Sequence, residues 1–227
     1  VRALLGNHGA RNHSDDLTTG GQRGIRKDAH EAHTAAAVHD AETTLGAGGY
    51  RDEALGLHAI DYGDDHFTCF QFDYDWRRDN VENAKRLKQF IEAKRAYVQQ
   101  AYKKRYGFEQ AAVKFDIVAH SMGSLVARYF LMYGDADLPE QGQDAVVTWA
   151  GADYVDRLIL VGPPNAGSIN ALTQLIEGFD VGRPLLPYYQ SALLGTFPAL
   201  YGLLPRRRHG AVAGADRPDP SRSVAEA

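Results

Sequence analysis

A serine able to act as a nucleophile stands at Ser121, inside Ala119-His120-Ser121-Met122-Gly123. Small residues sit two places before and two places after it. This is the spacing of a nucleophile elbow, G-x-S-x-G, with alanine in the first glycine position. The spacing has a steric reason. A serine held on a tight strand-to-helix turn brings the residues two places either side against neighbouring backbone, so both must be small. The turn lifts Oγ above the sheet, and the helix that follows aims unpaired N–H groups at the same place. The Met122 N–H is therefore the candidate for one half of an oxyanion hole, and the chemistry such parts serve is attack on an acyl carbonyl. A bare five-residue match also describes an ordinary helix-capping serine. A strand before the motif and a helix after it are what separate the two.

Both elements are legible. VKFDIVAH (113–120) is a short apolar run that predicts a strand, and MGSLVARYFLMYG (122–134) predicts a helix ended by glycine. Upstream, FTCFQFDYDW (67–76) is aromatic-rich and strand-like. Between Asn80 and Gly107, Val81, Ala84, Leu87, Ile91, Val98 and Tyr102 recur at helical spacing, with Asn80 as the expected N-cap and Gly107 as the stop. Downstream, YVDRLILVGPP (154–164) predicts a third strand and Ser168–Gly178 a third helix. The apolar segment 185–204, broken by Pro187 and Pro198, predicts two short helices. This alternation implies an α/β fold: parallel strands, right-handed crossovers and helices on both faces of the sheet. Ligands bind such sheets beyond the carboxyl ends of the strands, where Ser121 falls.

FDIVAHSMGSLVARYFLMYG (115–134) combines with YDWR (74–77) ahead of the long helix and LVGPPNAGS (160–168) after the next strand. Together they resemble the lecithin:cholesterol acyltransferase-like group of α/β-hydrolase lipases and esterases. The resemblance covers about residues 50–210, with the motifs in the expected order. It implies an α/β-hydrolase core, a serine nucleophile at Ser121, and an ester or lipid acyl substrate. Two positions depart from the family pattern. Ser124 stands where a second glycine is usual, and Gly162-Pro163-Pro164 stands where Gly-Thr-Pro is usual. Neither change removes a catalytic atom, although Pro163 removes a backbone donor and a hydroxyl near the rim of the site.

A serine hydroxyl needs a base, and in this fold the chain order is serine, acid, histidine. One histidine follows Ser121: His209, in RRRHGAV, with no strand pattern before it. Asp180 is the corresponding candidate acid. In the family the acid and histidine follow later strands beyond a cap; residues 180–205 look like that cap, and those strands are not evident. His120, beside the nucleophile, is expected to pack and hydrogen-bond at the elbow. The second oxyanion donor should come from a loop after an earlier strand. VRALLGNHG (1–9) reads either as a short strand with a glycine-rich loop or as a frayed terminus.

Composition bounds the rest. The chain has 227 residues, 44% of them hydrophobic, enough for one sizeable domain. Its 25 basic and 29 acidic residues give no basic excess of the kind a nucleic-acid surface needs. Cys69 is the only cysteine, so no internal disulfide forms. No transmembrane run and no secretory signal are visible, which favours the cytoplasm. Residues 1–49 are poor in core formers: from 6 to 49 the large aliphatics are Leu17, Ile25, Val38 and Leu45, and there is no aromatic. Such a segment is expected to be poorly ordered, as is the 206–227 tail, leaving 50–205 as the hydrolase core with the start of a cap. The abrupt loss of core composition points to a core incomplete at both ends, as truncation or frame disruption would produce. The alternative to a serine ester hydrolase or acyltransferase is therefore an inactive hydrolase-fold fragment or binding module lacking acid and base.

Other clusters carry less. His30, Glu31, His33 and His39 do not match a zinc-binding helix and read as a solvated segment. No metal or organic cofactor is required by the chemistry. The basic face of 77–105, interleaved with tyrosines, reads as an exposed helix face. Asp73, Asp75 and Asp79 either line the site or form a turn. Cys69 reads as a small core residue. The stretch 188–204 is either a lipid-facing lid or packing against the sheet. The sequence does not give oligomeric state.

Overall fold

The sheet is built around a strand from the beginning of the chain. The computed structural model describes residues 2–5, 44, 50–53, 66–109, 112–140, 143–180 and 188–205. The histidine-rich cluster at 30–39 and His209 lie outside them. Four parallel strands, β1 (Arg2–Leu5), β2 (Cys69–Phe72), β3 (Phe115–His120) and β4 (Val155–Val161), are arranged in the order β2-β1-β3-β4. Of the two alternatives for VRALLGNHG, residues 2–5 take the strand. Ala3 pairs with Phe70 on one side and with Ile117 on the other. The chain runs outward from β1 to β2, returns across β1 to β3, and continues outward to β4. The direction reverses between β1 and β3, which makes their carboxyl ends the topological switch point of the sheet.

The crossover from β2 to β3 is helix α1 (Asn80–Tyr106). Its N-cap is Asp79 rather than Asn80: the Asp79 carboxylate accepts the Val81 N–H at 2.6 Å. A carboxylate also suits the positive end of the helix dipole better than an amide. Gly107 ends the helix at φ +77, a left-handed conformation that glycine takes without cost. Ala84, Leu87, Ile91 and Val98 are buried as their spacing predicts, but Tyr102 is exposed, its ring tilted against Tyr106 and edge-to-face with Phe108 instead. Length explains this. A 27-residue helix rises about 40 Å, whereas the strands it covers have four to seven residues and span roughly 13–23 Å. The last turns of α1 therefore outrun the sheet.

Helix α2 (Gly123–Tyr133) follows β3 and packs beside α1. Both cover the sheet face that carries Phe70, Phe72, Phe115, Ile117 and Ala119, with Leu158 and Leu160 continuing it onto β4. On the opposite face Tyr50 meets Cys69 and Val118, while Ile159 and Val161 are exposed. A short 3-10 turn, Ala150–Asp153, leads into β4. Its Gly151 lies so close to α2 that a Cβ would stand 2.3 Å from the Phe130 carbonyl oxygen. After β4 come α3 (Ile169–Glu177), the two-residue strands β5 (Phe179–Asp180) and β6 (Tyr188–Tyr189), α4 (Ser191–Leu194) and α5 (Pro198–Gly202). The two short helices predicted for 185–204 are thus α4 and α5. No helix among the described residues is long and apolar enough to cross a membrane.

Candidate functional site

Ser121 occupies the turn between β3 and α2 with φ +51, in the left-handed region. A residue with a Cβ disfavours this conformation, and three hydrogen bonds hold the turn in it. The Ser121 N–H donates to the Val161 carbonyl at 2.9 Å, tying the turn to the end of β4. The Ser121 carbonyl accepts the Ser124 N–H at 3.0 Å. The Ser124 hydroxyl donates to the Ala119 carbonyl at 2.9 Å. Ala119 and Ser124 are both 0% exposed, and Gly123 is buried, so neither flank of the serine has room for a larger side chain. The departure from a second glycine at 124 thus has a structural use: the hydroxyl closes the turn internally and is satisfied where it is buried.

Met122 is the first residue after the serine, and its carbonyl accepts from Leu125 and Val126 at 2.9 and 3.3 Å. Its N–H donates to no group among the described residues. Leu5, the last residue of β1, pairs with Ala119, so the chain leaving β1 toward Gly6–Gly9 starts beside the elbow. Residues 6–9 themselves lie outside the described residues. Ser121 and Met122 are therefore brought together, at the switch point. Asp180 is not joined to them. It is exposed on β5, beyond α3, in a hairpin whose Phe179 packs onto Leu194, Phe197 and Leu200. The hydrogen bonds of Ser121 among the described residues are the backbone ones to Val161 and Ser124. Among the same residues, no group of three or more His, Cys, Asp or Glu could hold a metal ion.

The YDWR segment follows the end of β2. Arg77 grips Asp75 with Nε to Oδ1 and Nη2 to Oδ2, both 2.8 Å, and its N–H also donates to Oδ1 at 3.0 Å. The guanidinium bond holds the Asp75 carboxyl below its usual range. Asn83, buried in the first turn of α1, donates to the Asp75 carbonyl at 2.9 Å. Of the three acids weighed for this turn, Asp75 and Asp79 serve its structure, and Asp73 is exposed. Burial pushes the Tyr74 phenol up. Trp76 meets Phe197 edge-to-face at 5.4 Å. The 188–204 stretch has its own small core of Leu194, Phe197 and Leu200, joined to the main core through Trp76 and Leu203. Leu193 and Tyr201 remain exposed on it.

The loop after β4 starts next to the elbow, where the Val161 carbonyl accepts the Ser121 N–H. Gly162 turns it at φ +57, the Ser168 N–H donates to the Leu203 carbonyl at 2.7 Å, and Gly167 packs against Leu204 and Pro205. Midway, the Arg128 side chain on α2 donates to Asn165 Oδ1. Sequence reasoning missed this pair, and also the Val161 carbonyl as anchor of the elbow. Nothing local marks either, since the partners lie on different elements.

A strained serine at the switch point of a parallel sheet, with a helix starting directly behind it, defines the α/β-hydrolase fold. A sequence model of the lecithin:cholesterol acyltransferase family matches residues 52–217. The chain belongs to that family, which sets it among lipase- and acyltransferase-like proteins. No curated protein matches the chain. Among solved structures it is similar to a chain described as the crystal structure of the Tle4-Tli4 complex, at 21% identity and a TM-score of 0.44. That similarity covers 70% of this chain and 29% of the other, so the chain spans under a third of that protein's length.

Proposed function

We propose that the chain is a serine ester hydrolase or acyltransferase working through an acyl-enzyme on Ser121. The observation that carries this is the Ser121 backbone, held left-handed at the head of α2 by bonds to β4 and to Ser124. Oγ attacks the acyl carbonyl while a base removes the hydroxyl proton. The carbonyl oxygen becomes an oxyanion facing the Met122 N–H. Collapse of the tetrahedral adduct breaks the ester bond, the leaving alkoxide takes the proton, and the acyl group stays on Oγ. Water or a second alcohol then releases it by the reverse sequence. His209 and Asp180 are the chain's candidates for base and acid. Family membership supports a lipid or other ester as the acyl donor.

A fluorophosphonate probe tests this directly. The wild-type protein should be labelled at Ser121, Ser121→Ala should not, and His209→Ala should lose most of the rate. Absence of labelling in the wild type would overturn the enzymatic assignment and leave a hydrolase fold acting as a binding module.

A further inference from the structure

The loop after β4 is fastened at both ends and at one point between. At its start, the Val161 carbonyl accepts the Ser121 N–H; at its end, the Ser168 N–H bonds to Leu203. Between them Pro163 and Pro164 have no N–H to give, and the Asn165 and Gly167 N–H groups turn back to the Pro163 and Pro164 carbonyls at 2.9 and 3.0 Å. The loop is thus closed on itself, and its backbone makes no bond to α2. What ties it to α2 is a side chain: Arg128, on the helix that begins behind Ser121, donates to Asn165. Asn165 is exposed and Arg128 half-buried, so the bond sits at the rim of the site and not in the core.

We infer that Arg128 and Asn165 form a clasp that fixes the Gly162–Ser168 loop across one side of the Ser121 site. This makes Arg128 a positioning residue for substrate binding, and it rests on Ser121 being the nucleophile. The clasp acts on the loop and leaves the elbow's own three bonds untouched. Its loss should therefore weaken binding of the ester and leave the chemical step alone.

The test uses the full chain with a short-chain p-nitrophenyl ester. Arg128→Ala and Asn165→Ala should each raise KM about tenfold, the loss expected for one hydrogen bond to a charged group, with kcat held within about twofold. The double variant should be no worse than either single, because both remove the same bond. Asn165→Asp keeps an acceptor for the guanidinium and should restore KM. Unchanged KM in the single variants, multiplying effects in the double, or a fall in kcat alone would overturn the clasp. If the wild type neither hydrolyses the ester nor labels with fluorophosphonate, the nucleophile assignment fails and amide hydrogen exchange decides the clasp by itself. Faster exchange at Asn165–Ser168 in Arg128→Ala, reversed in Asn165→Asp relative to Asn165→Ala, supports it; unchanged exchange overturns it.

Discussion

Replacing Ser121 with glycine should make the protein more stable than replacing it with alanine, and the backbone gives the size of the difference. At φ +51, a residue carrying Cβ costs roughly 1–2 kcal/mol. The turn cannot relax away from this angle without breaking the bonds to Val161 and Ser124. Ser121→Ala keeps Cβ and so keeps the cost, and the Oγ it removes bonds to nothing among the described residues. Ser121→Gly removes the cost but widens the freedom of the unfolded chain, which takes back roughly 0.4–1 kcal/mol. The net advantage of glycine is about 1 kcal/mol, or a Tm some 2–4 °C higher for a domain of this size. Thermal unfolding of the two variants, followed side by side by circular dichroism, measures it. Both are dead as nucleophiles, so activity does not enter the comparison. If the glycine variant melts at or below the alanine variant, residue 121 is not held left-handed, and the elbow geometry falls with it.

Gly151→Ala should destabilise by about 1–3 kcal/mol, because its Cβ would meet the Phe130 carbonyl and the Leu131 Cα, backbone atoms of α2 that cannot turn aside; denaturant midpoints report it. Asp75→Asn should cost stability at neutral pH and nothing in acid. Arg77 pulls the folded-state carboxyl down, so the contribution is complete above the unfolded value near pH 4 and is lost as pH falls through the lower folded value. Wild-type and variant stabilities should then differ most above about pH 5 and converge as pH falls below the unfolded value and through the lower folded one. A gap that stays constant across that range would remove Arg77 as its cause.

The elbow was legible because its requirements are local: small residues at 119 and 123, an apolar run before, a helical pattern after. The long helix was legible for the same reason, and the boundary errors there are physical. Asp79 displaced Asn80 as cap because a carboxylate bonds the helix start more strongly. Tyr102 left the core because the helix is longer than the sheet. Strand β1 was ambiguous, since four residues show no period of their own; only pairing with Phe70 and Ile117 on either side identifies it. Of the two alternatives posed for 188–204, the segment packs: Leu194, Phe197 and Leu200 form a small core of their own, and Ala199 and Leu203 reach the main one, with Trp76 touching both. The Arg128–Asn165 bond spans two elements and leaves no periodic trace. His209 and Asp180, the candidates for base and acid, were the least legible residues, because a triad is defined by meeting in space and not by order along the chain.

The placement of β1 bears on how the sheet assembles. Its partners begin at Cys69 and Asp116, so β1 must wait for β3 before it has neighbours on both sides. Until then β2 and β3 have no shared surface, since both pair with β1 and not with each other. The sheet cannot grow from one hairpin outward; it closes when two distant segments trap a third between them. Such long-range closure is slow. During synthesis it leaves the β3-facing edge of residues 2–5 without its partner over the whole interval in which α1 is made, the period when a chaperone or a neighbouring chain has most opportunity to occupy that edge.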